Sequence, residues 1–139
     1  MPDALKTLTS ALLITLMSSV TNYVRAENVL YCQAEVATGL SNSSGYWKET
    51  NFSFKRFTIK FSDNYSTLEG LTYSPMVCKN PYGKIIPNRV FCVHDQGAHE
   101  TFQYDKALRR FLFSAVKSTS YVEDRTDTDV MYGGTCQNF

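Results

Sequence analysis

The chain has 139 residues, with 14 basic against 13 acidic side chains, 43% hydrophobic and 14% aromatic residues. That length suits one domain with a single core. A formal net charge of +1 excludes the basic excess that a nucleic-acid-binding protein presents to phosphates.

Residues 1–26 read "MPDALKTLTSALLITLMSSVTNYVRA": Lys6 in the opening stretch, an apolar run from Leu8 to Val20, and Val24-Arg25-Ala26 at the end. This pattern predicts a signal peptide cleaved after Ala26 and a periplasmic or secreted protein. The apolar run is about half as long as a bilayer span requires, and Thr15, Ser18 and Ser19 weaken it. No membrane span is therefore expected in the mature chain. Tyr31 before Cys32 is too bulky for a lipid-attachment site. Residues 27–139 form the expected single domain, and loss of Lys6, Arg25 and Asp3 with the leader brings the net charge to zero.

The domain opens with "NVLYCQAEV", where Leu30, Cys32, Ala34 and Val36 alternate as a half-buried strand requires. A polar loop, "TGLSNSSGYW", follows. In "NFSFKRFTIKF", Phe52 and Phe54 occupy even positions but Phe57, Ile59 and Phe61 odd ones. A β-bulge at Lys55-Arg56 would keep both sets on the core side. Further strands are expected in "STLEGLTY" and "NRVFCVHD", separated by the turn-type stretches "NPYG" and "IIPN".

The segment "ETFQYDKALRRFLFSAVK" admits two readings. Leu108, Phe111, Leu112, Ala115 and Val116 follow helical spacing, with Asp105 as N-cap. Against that, Phe102 and Tyr104 alternate in, Asp105-Lys106-Ala107 suits a type I turn, and Arg109, Phe111, Phe113 and Ala115 alternate out. A lone helix among short strands has no second apolar layer to join, so the hairpin is expected. The last strand lies in "DVMYGGTCQNF", with Val130, Tyr132 and Cys136 on one face.

Four cysteines in an exported chain predict two disulfides. Strand phase pairs Cys32 with Cys136, first strand to last; Cys78 and Cys92 then close the loop between them. A zinc site would need two close cysteine pairs, which the spacing does not offer. The fold class that follows is all-β: a small antiparallel barrel or barrel-like sandwich of about seven to eight strands.

Candidate chemistry is sparse. His94, Asp95, His99 and Glu100 in "VHDQGAHE" offer metal-type ligands or a general base, but their spacing matches no strong metal motif and a polar hairpin loop around Gln96-Gly97 is the simpler account. Glu123, Asp124, Asp127 and Asp129 form an acidic cluster without the alternate-residue spacing of a calcium loop. Lys55, Arg56 and Lys60, with Lys106, Arg109 and Arg110, would make an anion-binding patch only if the two groups met in space. Tyr46, Trp47, Tyr65, Tyr73 and Tyr82 lie in or beside loops, where they either contact a partner or plug the barrel ends. No nucleophile elbow, P-loop or dinucleotide fingerprint supports an enzyme, and no cofactor is expected.

The order "YCQAEVATGL", Trp47, "FTIKF", a central Cys, "FC", "FQYDKALRRF" and a terminal "GGTCQNF" resembles a family of small exported proteobacterial proteins of unknown function. More distantly, a leader followed by a disulfide-bonded β-barrel of this size is similar to the periplasmic inhibitors of C-type lysozyme. Their Ser-Gly-x-x-Tyr loop is altered here, since Ser44-Gly45-Tyr46 sets the aromatic directly after Gly. The resemblance implies a bacterial envelope setting. The expected function is non-catalytic binding of an envelope or foreign protein through the loops 39–47 and 94–100, using Tyr46, Trp47, His94, Asp95, His99 and Glu100. The alternative is a carrier holding a small apolar ligand in the barrel.

Overall fold

A computed structural model describes residues 28–42, 45–94, 99–116 and 128–138. Among the described residues nine strands form: β1 Asn28–Ser41, β2 Lys48–Asn51, β3 Arg56–Phe61, β4 Thr67–Glu69, β5 Met76–Lys79, β6 Arg89–His94, β7 Glu100–Asp105, β8 Arg110–Val116 and β9 Thr128–Asn138. All pairings are antiparallel. β1 pairs with β3 along Asn28–Gln33 and with β9 along Leu30–Ser41, and each strand from β3 to β9 pairs with the next. Eight strands thus close into a barrel, in which every strand is paired on both sides. The ninth, β2, extends β3's side of β1 along Thr38–Ser41.

The interior is built from aromatic rings. Phe57 packs edge-on against Phe111 at 5.8 Å and Tyr132 at 5.9 Å, Phe102 stacks on Phe111 at 5.6 Å, and Phe61 on Tyr104 at 5.6 Å. These rings come from β3, β7, β8 and β9. Of the inward positions of β1, Leu30, Cys32, Ala34 and Ala37, the two alanines are small and leave room for the rings along the axis. Burying each such large side chain contributes about 2–3 kcal/mol. Both expected disulfides form, Cys32–Cys136 and Cys78–Cys92, each joining residues directly opposite in register.

The hairpin reading of 100–117 is borne out by β7 and β8, paired from Glu100–Ala115 to Asp105–Arg110. The Asp105 carboxylate accepts from the backbone N–H groups of Ala107 and Leu108, and Arg109 closes the turn at φ 54°.

Two expectations about phase need correction. Val36 is 57% exposed, because the register slips between Ala34 and Val36 and leaves Glu35 as the extra residue. Phe54 is 67% exposed, because the chain leaves the ladder from Phe52 to Lys55 instead of bulging at one point. Phe52 alone of that pair packs against the core. The two irregularities adjoin: Phe52 N–H donates to the Ala37 carbonyl and Ala34 N–H to the Lys55 carbonyl.

Candidate functional site

Strand direction sorts the loops. The strand ends that flank the β1–β2, β4–β5, β6–β7 and β8–β9 connections lie at one end of the barrel, the upper rim, and those that flank the β3–β4, β5–β6 and β7–β8 connections at the other. The described ends of the two expected binding loops therefore share the upper rim. Tyr46 and Trp47 are exposed there, with the Lys48 ammonium 4.4 Å from the Tyr46 ring centre. His94 ends β6 half-buried, its Nε2 sharing a 2.6 Å hydrogen bond with the Ser74 hydroxyl of the β4–β5 connection. His99 is exposed, and its carbonyl accepts from Val116 N–H at 2.6 Å. Glu100 opens β7 half-buried, and Asp95 lies outside the described residues.

A hydroxyl on an imidazole is half of a nucleophile–base pair, but among the described residues no carboxylate orients the other ring nitrogen of His94. The bond instead ties the β4–β5 connection to the end of β6. Among the described residues no group of three His, Cys, Asp or Glu side chains could hold a metal ion. Of the acidic cluster only Asp129 is described, in β9.

The two basic groups do not meet, since β1 and β9 separate β3 from β8 in the ring. Lys55 lies over the Tyr132 ring at 5.6 Å and Lys106 over Tyr65 at 4.9 Å. The loop aromatics divide between the two roles open to them. Tyr65 packs on Phe61 at 4.9 Å as a plug, whereas Tyr46, Trp47, Tyr73 and Tyr82 are exposed.

A surface that strand phase alone did not reveal lies on the outside of β1, β9 and β8. Register aligns Val36, Gly133 and Leu112 in one row, Thr38, Met131 and Ser114 in the next, and Leu40, Asp129 and Val116 in the third. Val36, Leu40, Leu112, Val116 and Met131 are all exposed, so five large apolar side chains form one patch. Gly133 leaves a dip between Val36 and Leu112. Below it, the same two strands carry a polar groove of about 290 Å³ lined by Tyr31, Gln33, Glu35, Thr135 and Gln137. Thr135 donates to the Glu35 carboxylate there at 2.8 Å. Glu49 pairs with Leu40 on the other side, so carboxylates at positions 35, 49 and 129 fringe the apolar rows.

The signal for this patch was the outward phase of "FLFSAV" and "VMYGG", which carries Leu, Val and Met where a solvated face would carry charges. No protein-family model, curated protein or solved structure matches the chain.

Proposed function

We propose that the chain is an exported, non-catalytic binding protein that acts on an envelope or foreign protein in the manner of an inhibitor. The observation that carries this reading is the aligned apolar patch on β1, β9 and β8. An apolar centre beside a hydrogen-bonding groove is the anatomy of a protein-recognition surface. Tyr46 and Trp47 on the upper rim supply amphipathic anchors of the kind that dominate such contacts. The carboxylate fringe favours a partner whose contact surface is apolar with basic neighbours.

Two disulfides fit an oxidising compartment, which supports the exported, envelope setting. The carrier alternative would need room along an axis that the aromatic network occupies. Enzymatic use of His94 would leave a mark on replacement of His94 and His99, and none is expected.

The test is affinity capture from envelope extracts followed by titration of the captured protein. Met131→Lys places a cation in the centre of the patch and should weaken binding by at least about 30-fold, as loss of an interface hot spot does. The thermal midpoint should stay unchanged, because Met131 points outward. Unaltered affinity in Met131→Lys would remove this face from the account.

A further inference from the structure

The geometry points to a second surface at the lower end: the β5–β6 loop and the β7–β8 turn dock peripherally on an anionic lipid bilayer, with Tyr82, Ile85, Ile86 and Leu108 entering the headgroup region. This goes beyond the proposed partner face and uses none of its residues.

The β5–β6 loop is ordered yet outward-facing. Asn80 holds it together, donating through Nδ2 to the carbonyls of Gly83 and Ile86 and accepting from Tyr82 N–H. Ile85 N–H donates to the Tyr82 carbonyl and Arg89 N–H to that of Ile86. Despite this framework Ile85 is 88% exposed, and every residue from Lys79 to Asn88 is exposed. Leu108, at the tip of the neighbouring turn, is 64% exposed. The two tips are joined, since Lys106 N–H donates to the Asn88 carbonyl at 3.0 Å and Arg89 stands opposite Asp105 in register.

Charge at this end is one-sided. Residues 79–89 and 105–110 carry Lys79, Lys84, Arg89, Lys106, Arg109 and Arg110 against the single carboxylate of Asp105, in a chain whose net charge is only +1. Asp105 pairs with Arg89 at 3.6 Å, and Lys106 covers Tyr65. Lys79, Lys84, Arg109 and Arg110 remain exposed around the apolar tips. The β3–β4 loop adds one carboxylate, Asp63.

Apolar tips ringed by cations match an anionic interface, where acyl chains accept the tips and headgroups the cations. A loop exposed at every position projects from the barrel instead of lining a groove. That shape suits a flat fluid surface better than an acidic peptide. Docking here would leave Tyr46 and Trp47, at the opposite rim, directed away from the bilayer.

The test is co-sedimentation of the full chain with phosphatidylcholine vesicles, with and without about one-third phosphatidylglycerol. Because all variants share residues 1–78, apart from the Trp47→Phe change in the fluorescence variant, differences among them report the lower end and not the apolar run near the N-terminus. Binding should require phosphatidylglycerol and fall between about 50 and 500 mM salt. Lys84→Gln with Arg110→Gln should weaken it about 25-fold, about five-fold for each cation lost. In a Trp47→Phe background, Ile85→Trp places the sole indole at the loop tip, and its emission should shift to the blue on anionic vesicles. Equal binding of parent and Lys84→Gln/Arg110→Gln would overturn the proposal. So would an unshifted indole in vesicle-bound protein, which would assign the cations to adsorption of any polyanion.

Discussion

A Cβ added at Gly134 would run into the Gln33 carbonyl, whereas one added at Gly133 meets only the Leu112 Cδ1 at 3.9 Å. The two neighbours therefore answer differently to the same change. Gly134→Ala forces β1 and β9 apart beside the Gln33 carbonyl and should cost about 3 kcal/mol, the scale of an overpacked interior. Gly133→Ala should change stability by less than about 1 kcal/mol. Denaturant titration of the two variants distinguishes them. A second residue-scale prediction concerns Tyr104, buried in the ring network. Burial holds its phenol above the ordinary 10.0, Tyr65 and Asp105 push it the same way, and Arg109 opposes them. The folded state thus retains the neutral phenol more strongly than the unfolded chain does. Its contribution is intact below about pH 10 and is lost as pH rises from there through the folded-state pKa. Tyr104→Phe should therefore lose less stability than the parent between pH 8 and pH 11 (about 3 units) in denaturant titrations. An identical loss would show that another group governs the alkaline limit.

Each disulfide joins opposed residues of paired strands, but the loops they close differ greatly, 104 residues for Cys32–Cys136 and 14 for Cys78–Cys92. Chain-entropy arguments give about 4–5 kcal/mol for the longer and about 3 for the shorter. Replacing Cys32 and Cys136 by Ala should consequently lower the denaturation midpoint more than replacing Cys78 and Cys92. Equal losses would show that barrel closure rests on the β1–β9 ladder alone. Cys32–Cys136 was legible because both cysteines share a phase with apolar neighbours, Cys78–Cys92 followed as the remaining pair around a turn-rich loop, and the β7–β8 hairpin was legible because Phe102, Tyr104, Phe111 and Phe113 alternate on either side of Asp105-Lys106-Ala107. Val36 and Phe54 were not, and for one reason. Their phase is reset where β1 faces Gly133 and Gly134 on one side and the break between β2 and β3 on the other. A bulge is positioned by its cross-strand neighbours, and a strand's own alternation does not record them.

At the scale of the molecule, the barrel carries two unlike surfaces, an apolar face with a carboxylate fringe toward the upper rim and a basic end with apolar tips below. The loop expected at 39–47 begins later than the sequence reading had it, because Gly39–Ser41 continue β1 and pair with both β2 and β9. That reading passed over the outer face, because exposed Leu, Val and Met acquire meaning only when register sets them side by side. The most direct measurement of the binding reading is site-specific photo-crosslinking in the envelope. A photoreactive residue at Met131 should yield one discrete adduct, and the adduct should vanish when Leu112→Lys is added. The control position is Val77 on β5, 46% exposed and diametrically opposite β9 in the eight-strand ring. It should yield none. Adducts of equal abundance from Met131 and Val77, or an adduct at Met131 indifferent to Leu112→Lys, would contradict the assignment of this face as the partner surface.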